Sequence, residues 1–305
     1  MTAQTIKNLR DLKILACQET RGLQWPTLAF SYLVIGMTLL GIWAGAVGIV
    51  PLWVGMIWNS FWMAQGYTAA HECAHHNLNG RHHKLRWLND VYGVAGFSFT
   101  LHSYTVHRHV HRLHHAHTND PERDTDAWVS DSPNLLSAIF RSLMFYFHTN
   151  YFMFKIFPLV HDKRKFIIRA TLETAIPYAI IIYLAAIGYW REVLMLSFIP
   201  TILAFALVSF FIDWIPHHVE NKTDVMKQTL IQKPSKTIRG WLFSRIYGFH
   251  NYHLIHHLVP SVPWYAQERT FEKAEDFLRA NGARIKEPDK SLSIANLPAQ
   301  PTSNT

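Results

Sequence analysis

H-E-C-A-H-H (residues 71–76) and V-H-R-H-V-H-R-L-H-H-A-H-T-N-D-P-E-R-D-T-D (residues 106–126) decide how this chain is read. Twelve of the protein's 20 histidines fall between His71 and His117. Neutral imidazole is the commonest protein ligand for first-row transition metals. Histidine at this density has no ordinary packing use, so the stretch reads as most of a metal site. The rest of the chain must then supply a scaffold, the missing ligands and a route for substrate.

The spacing sharpens this. His71 and His75 are four residues apart, so on a helix their rings share a face. His111, His114 and His115 occupy one face of a helical turn, and His253, His256 and His257 repeat that spacing. These eight imidazoles exceed the four of a tetrahedral site, so two metals are expected. His217, in D-W-I-P-H-H, is a ninth candidate, with His218 as its rival. His82, His83, His148 and His161 have no partner at helical spacing and read as surface or packing residues. His76, His102, His107, His109, His117 and His250 adjoin the clusters and read as supporting donors. Cys73 and Glu72 are rotated away from the imidazoles on a helix. Asp120, Asp124 and Asp126 are expected to accept from the far nitrogens of ligating rings, as carboxylates behind metal-bound histidine do. Asn251 is expected to hold a metal-bound water.

Charged residues make up only 16% of the 305-residue chain, against about 25% in a typical soluble domain. Gly22–Ala70, Thr174–Trp190 and Val193–Ile212 contain no Asp, Glu, Lys or Arg. A bilayer crossing needs about 20 apolar residues, so the expected fold is an all-α integral membrane protein. Four transmembrane helices are expected, at about 26–46, 50–70, 172–190 and 193–215, as two hairpins with a His-rich helical cap on the cytoplasmic side. Gly45–Pro51 supplies the first turn and Arg191-Glu192 the second. Trp25 marks an interface. Residues 1–24 read as a cytoplasmic N-terminal segment without a cleavable signal, and 25–287 as the membrane domain. Leu135–Val160 reads as a helix in the interface plane, Gln267–Ala280 as a charged helix stopped at Gly282, and 288–305 as a disordered tail.

Of the 29 Lys and Arg residues, 28 lie outside the two hairpin turns and only Arg191 lies in one. By the positive-inside rule, both termini and every His cluster face the cytoplasm. The net charge of +8 lies in segments flanking the apolar runs. That placement argues against nucleic acid and for anionic lipid or an acidic redox partner. Cys17 and Cys73 form no Cys-x-x-Cys motif, and both are expected reduced.

The series H-x-x-x-H, H-x-x-H-H, H-x-x-H-H, interleaved with two apolar hairpins over residues 25–265, resembles the membrane-bound fatty acid desaturase superfamily. That group includes alkane hydroxylases and carotenoid ring hydroxylases and ketolases. Locally, H-H-A-H-T-N-D-P-E-R-D-T-D and N-Y-H-L-I-H-H-L-V-P-S-V-P-W-Y are most similar to carotenoid ring hydroxylases. The resemblance implies two iron ions held by histidine alone, O2 as co-substrate, and external electrons. The substrate it implies is a fatty acyl chain or a carotenoid ring drawn from the bilayer, which would be desaturated or hydroxylated. No His-Pro-Gly-Gly haem segment is present, so a separate donor such as a ferredoxin is expected. The rival enzyme is a membrane zinc protease using H-E-x-x-H at 71–75 with Glu72 as base. It leaves the two H-x-x-H-H clusters without work. A metal transporter would place ligands near the bilayer midplane, where no histidine of this chain is expected.

Overall fold

The uncharged run from Gly22 to Ala70 turns back at Gly48, whose φ of 77° suits glycine best. In the computed structural model, which describes residues 6–20, 22–220 and 222–288, the chain is mostly helical. Its helices are α1 (Leu9–Glu19), α2 (Trp25–Ala46), α3 (Leu52–Ala74), α4 (Trp87–Ser98), α5 (Tyr104–Ala116), α6 (Ala127–Ser130) and α7 (Leu135–Ile156). There follow α8 (Lys163–Leu184), α9 (Trp190–Val193), α10 (Ile199–Val208), α11 (Ile215–His217), α12 (Ile238–Ile246), α13 (His253–Leu258) and α14 (Gln267–Ala280). The chain divides into two compact units, one of residues 22–116 and 143–208, the other of 1–21, 117–142 and 209–305.

In the first unit, Pro26 sits in the opening turn of α2, where its missing N–H costs nothing. Pro51 caps α3. Small residues let these helices approach closely: a Cβ at Gly41 would collide with Asn59, and one at Gly45 or Gly55 with Leu196. Asn59 Nδ2 donates to the Leu196 carbonyl at 2.9 Å, a buried bond. Without a hydrophobic driving force between helices in lipid, such close backbone packing and polar bonds hold them together.

Among the described residues, two helical runs are long and apolar enough to cross a membrane: Trp25–Ala46, of mean hydropathy 1.8, and Lys163–His217, of mean hydropathy 2.4. Only 39% and 28% of their most apolar windows are buried. A core helix of a water-soluble protein would hide such a face; here Leu39, Trp43, Ile180 and Ile182 point outward. Within the second run the helix breaks at Gly188, φ 110°, not at the charged Arg191-Glu192 pair that marked the turn in the sequence. Charge marks the membrane edge, but only glycine takes that φ readily.

In the second unit, Leu12 and Leu15 of α1 pack with Leu254, Ile255, Phe271 and Leu278 of α13 and α14. An ion pair between Glu19 and Arg269 adds to this. Gly282 (φ 76°) ends α14 where the sequence placed the stop, and Ala283 N–H returns to Leu278 O at 3.0 Å. The all-α expectation needs one correction. β1 (Leu230–Gln232) and β2 (Arg284–Lys286) form a two-stranded parallel sheet. Three residues are too few for an alternating pattern to show in sequence. Of the expected disordered tail, 289–305 lie outside the described residues.

The packing of Leu196 against glycine gives a direct test. Gly55→Val should overpack the α2–α3 hairpin by about 1–3 kcal/mol, lowering the apparent melting temperature in detergent. Gly36→Ala, at a helical site where nothing beyond its own helix backbone and chain neighbours lies within 4 Å of the added Cβ, should not lower it.

Candidate metal centre

In the first unit, α3 carries His71 in its last turn and ends on His75. α5 carries His107, His111, His114 and His115. Glu173 of α8 fixes the start of α5: its carboxylate accepts from Ser103 Oγ at 2.7 Å, Thr105 N at 2.8 Å and Thr105 Oγ1 at 2.8 Å. A negative charge there also suits the helix dipole.

The two helices bring His71, His75, His111 and His115 together, with a nitrogen from each within 4.8 Å of the others. His111 is the hub, its ring 4.5 Å from His71 and 4.8 Å from His75. Its Nε2 lies 2.8 Å from His75 Nε2 and 3.1 Å from His115 Nε2. His71 and His111 are buried. Burial, reinforced by the charge of Arg112, pushes His75 down to about 3, and burial holds His111 well below its ordinary range. These rings therefore stay neutral and keep a lone pair for a metal. His114 is also buried, 5.8 Å from the His111 ring.

The neighbours take supporting positions. His76 adopts φ 59° and accepts from Arg112 Nη2 at 2.9 Å. His107 stacks between Phe97, at 4.5 Å, and His111, at 5.5 Å. His102 packs among Phe97, Tyr146 and Phe205, and His109 against Phe166. His82, His83 and His161 are exposed, and His148 packs against Phe145 and Phe152. Glu72, expected to turn away from the imidazoles, is instead buried with Oε1 3.9 Å from His71 Nδ1. Asn77 holds its other oxygen at 3.1 Å.

The second unit holds a matching group. His217 of α11 meets His253 and His257 of α13, with ring separations of 4.8 and 4.9 Å. Nε2 of His253 lies 2.8 Å from His217 Nε2 and 3.1 Å from His257 Nε2. His256 is fully buried, 5.6 Å from the His253 ring. His218 donates from Nδ1 to Ser130 O at 3.0 Å and packs on Trp214 at 5.4 Å, so His217 is the residue that joins the cluster.

Asn119, a residue that sequence reasoning missed, sets the His217 tautomer. Its Nδ2 donates to the Gln228 carbonyl at 2.9 Å, which fixes Oδ1 as the atom 3.1 Å from His217 Nδ1. Oδ1 only accepts, so Nδ1 carries the proton and Nε2 presents its lone pair. Asn119 itself is left-handed, φ 65°, a conformation asparagine tolerates. Asp124 holds that turn, accepting from Asn119 N at 2.7 Å and Asp126 N at 2.9 Å. Asp124 thus supports the cluster through the loop backbone. Asn251 Nδ2 donates to Gln232 O at 3.0 Å, tying the approach to α13 onto β1.

Neighbouring nitrogens on one first-row ion, with bonds of about 2.0–2.1 Å, stand roughly 2.9–3.4 Å apart. Separations of 2.8 and 3.1 Å in both groups fit that requirement. Neutral imidazole donors suit iron, copper, nickel or zinc and disfavour calcium or magnesium.

Long apolar helices exposed along their faces point to a membrane protein, and the two all-imidazole clusters could each hold a metal ion. Residues 43–288 match the family model for fatty acid desaturase, and the chain belongs to that family. Fatty acid conjugase FAC2 B of Calendula officinalis is 24% identical, over 79% of this chain and 74% of the relative. An sn-1 oleoyl-lipid 12-desaturase of Anabaena variabilis is 23% identical, over 81% and 75%. A chloroplastic sn-2 acyl-lipid omega-3 desaturase (ferredoxin) of Arabidopsis thaliana is 24% identical, over 93% and 68%. The protein is an O2-dependent oxidoreductase of the desaturase type, and its His clusters are compatible with a di-iron centre.

Two outcomes follow from this geometry. Glu173→Ala removes charge-assisted bonds at the start of α5 and should cost about 1–3 kcal/mol, read as a lower melting temperature. Burial pushes His102 and His250 down to about 4 from 6.5. The unfolded chain binds more protons between those values, so their contribution is present above pH 6.5 and lost as pH falls toward 4. Unfolding measured from pH 7 to pH 4.5 should show this decline, and a His102→Phe variant should show less of it.

Proposed function

We propose that this chain is a membrane di-iron oxygenase that desaturates a long acyl lipid. The observation that carries the reading is the pair of clusters whose imidazole nitrogens converge at 2.8–3.1 Å. His71, His75, His111 and His115 would hold one iron, and His217, His253 and His257 the other, with His114 and His256 completing the nine ligands. Bound iron would supply what side chains lack, the use of O2 against an unactivated C–H bond.

The chain's own groups do the rest. Burial keeps His75 and His111 neutral, Asn119 fixes the His217 tautomer, and Glu72 stands behind His71. Glu173 sets the position of α5, and Asp124 sets the turn that aims Asn119. The four crossings at 26–46, 50–70, 172–190 and 193–215, with termini and clusters on the cytoplasmic side, rest on the charge asymmetry. The 25–287 membrane domain rests on the same ground. Electrons would come from a separate carrier; a ferredoxin fits the basic charge balance, and the word stands in the Arabidopsis relative's name.

Between acyl chain and carotenoid ring, the names of the relatives favour the acyl chain. The zinc-protease reading uses His71, Glu72 and His75 alone, and no observation favours it.

Purified protein should contain two irons per chain. His111→Ala and His217→Ala should each remove one, while His218→Ala and His76→Ala keep both. One zinc per chain with peptide cleavage would overturn the reading. In cells making β-carotene, expression should raise acyl unsaturation; hydroxylated pigment with unchanged acyl chains would replace the acyl substrate by the carotenoid.

A further inference from the structure

α12 is short, apolar and outward-facing: Ile238 is 69% exposed, Trp241 50% and Ile246 57%. A water-soluble surface would not leave three such side chains uncovered on nine residues. The helix is anchored at a definite level. Tyr247 OH donates to the Phe211 carbonyl, and the two rings meet at 6.1 Å. Phe211 lies in the last turns of the apolar Lys163–His217 run, so α12 sits where that run meets the polar layer. Arg245 lies 4.0 Å over the Trp241 ring, keeping its charge against an aromatic body as interfacial side chains do.

Beside the start of α12 is a cavity of about 240 Å³ lined by Lys233, Ser235, Arg239, Phe243, Lys286 and Glu287. Two of the lining charges are already engaged: Lys233 pairs with Glu275 at 2.8 Å, and Glu287 with Arg279. Among the described residues, the side chains of Arg239 and Lys286 have no hydrogen bond or ion pair. Lys233 and Lys286 are brought side by side by the parallel strands, Lys233 N–H donating to Lys286 O at 3.0 Å. Gly240 makes the approach possible, since a Cβ there would strike the Ser235 backbone.

We propose that α12 lies in the headgroup layer and that this cavity takes the phosphate of an anionic phospholipid, held by Arg239 and Lys286. The acyl chains then run along Ile238, Trp241 and Ile246. An apolar helix face flanked by cations is the usual design of an interfacial helix, and each cation near an anionic surface strengthens binding about fivefold.

The test uses the full-length protein in detergent containing equal phosphatidylglycerol and phosphatidylcholine. Bound lipid is quantified by mass spectrometry after extraction. Phosphatidylglycerol should be enriched, and Arg239→Ala and Lys286→Ala should each lower the enrichment about fivefold. Lys273→Ala, an exposed cation on α14, should leave it unchanged; an equal loss there would reduce the effect to net charge and overturn the site. Glycerophosphoglycerol without acyl chains should compete weakly, and full competition would mean a soluble phosphate ligand instead. Quenching by brominated lipid in nanodiscs should fall in Trp241→Phe. If Ile238→Ser with Trp241→Ser instead converts a dimer to a monomer by light scattering, the face belongs to a second copy and the lipid proposal fails.

Discussion

Imidazole nitrogens packed at 2.8–3.1 Å in a desolvated setting are the constraint on which the rest of the structure depends. His111 Nε2 is faced by two other Nε2 atoms, and so is His253 Nε2. A neutral ring has one proton to give, and on His217 that proton is committed to Nδ1 by Asn119. Shared protons cannot satisfy every pair, and protonating the rings would bury like charges together. A cation resolves the conflict, since every lone pair can then point at the same atom. The polypeptide holds the rings in that arrangement at a cost, which is why so many supports surround them.

Those supports come from distant parts of the chain. Glu173 lies 68 residues from Thr105, yet its carboxylate organises the first turn of α5. Asn119 reaches His217 across 98 residues. Each of these bonds orients a ring through something rigid, either a helix terminus or a left-handed turn. Misplacing one ring by an ångström would spoil several nitrogen separations together, so the supports are as specific as the rings.

This also explains what could be read in advance. Spacings of three and four residues are local, so the faces of α3, α5 and α13 were legible from single turns of helix. The first hairpin was equally plain, since glycine and proline punctuate Gly45–Pro51. The choice of His217 over His218 was not, because it depends on which ring meets Asn119 and which meets Ser130. Glu173 did leave a signal: one acid at the edge of an uncharged run is costly without partners, and asking for those partners leads toward a helix start. Glu72 was misjudged because helical rotation fixes the direction of Cβ but not the reach of a long side chain. The break at Gly188 and the β1–β2 pair escaped for want of any periodic pattern.

An all-imidazole donor set has a further consequence. Neutral ligands leave the charge of a divalent ion uncompensated, and an uncompensated buried charge is expensive. For a bound ion, the acids would provide the balance at one remove. Glu72 is buried 3.9 Å from His71 Nδ1, drawing positive charge toward the far side of that ring. In the other unit, Asp124 and Asp126 lie within 4.8 Å of each other. Carboxylates bound directly would neutralise the metal and occupy its open positions. Held behind the rings or in the loops, they would stabilise the charge of a bound ion while leaving those positions to the reactants.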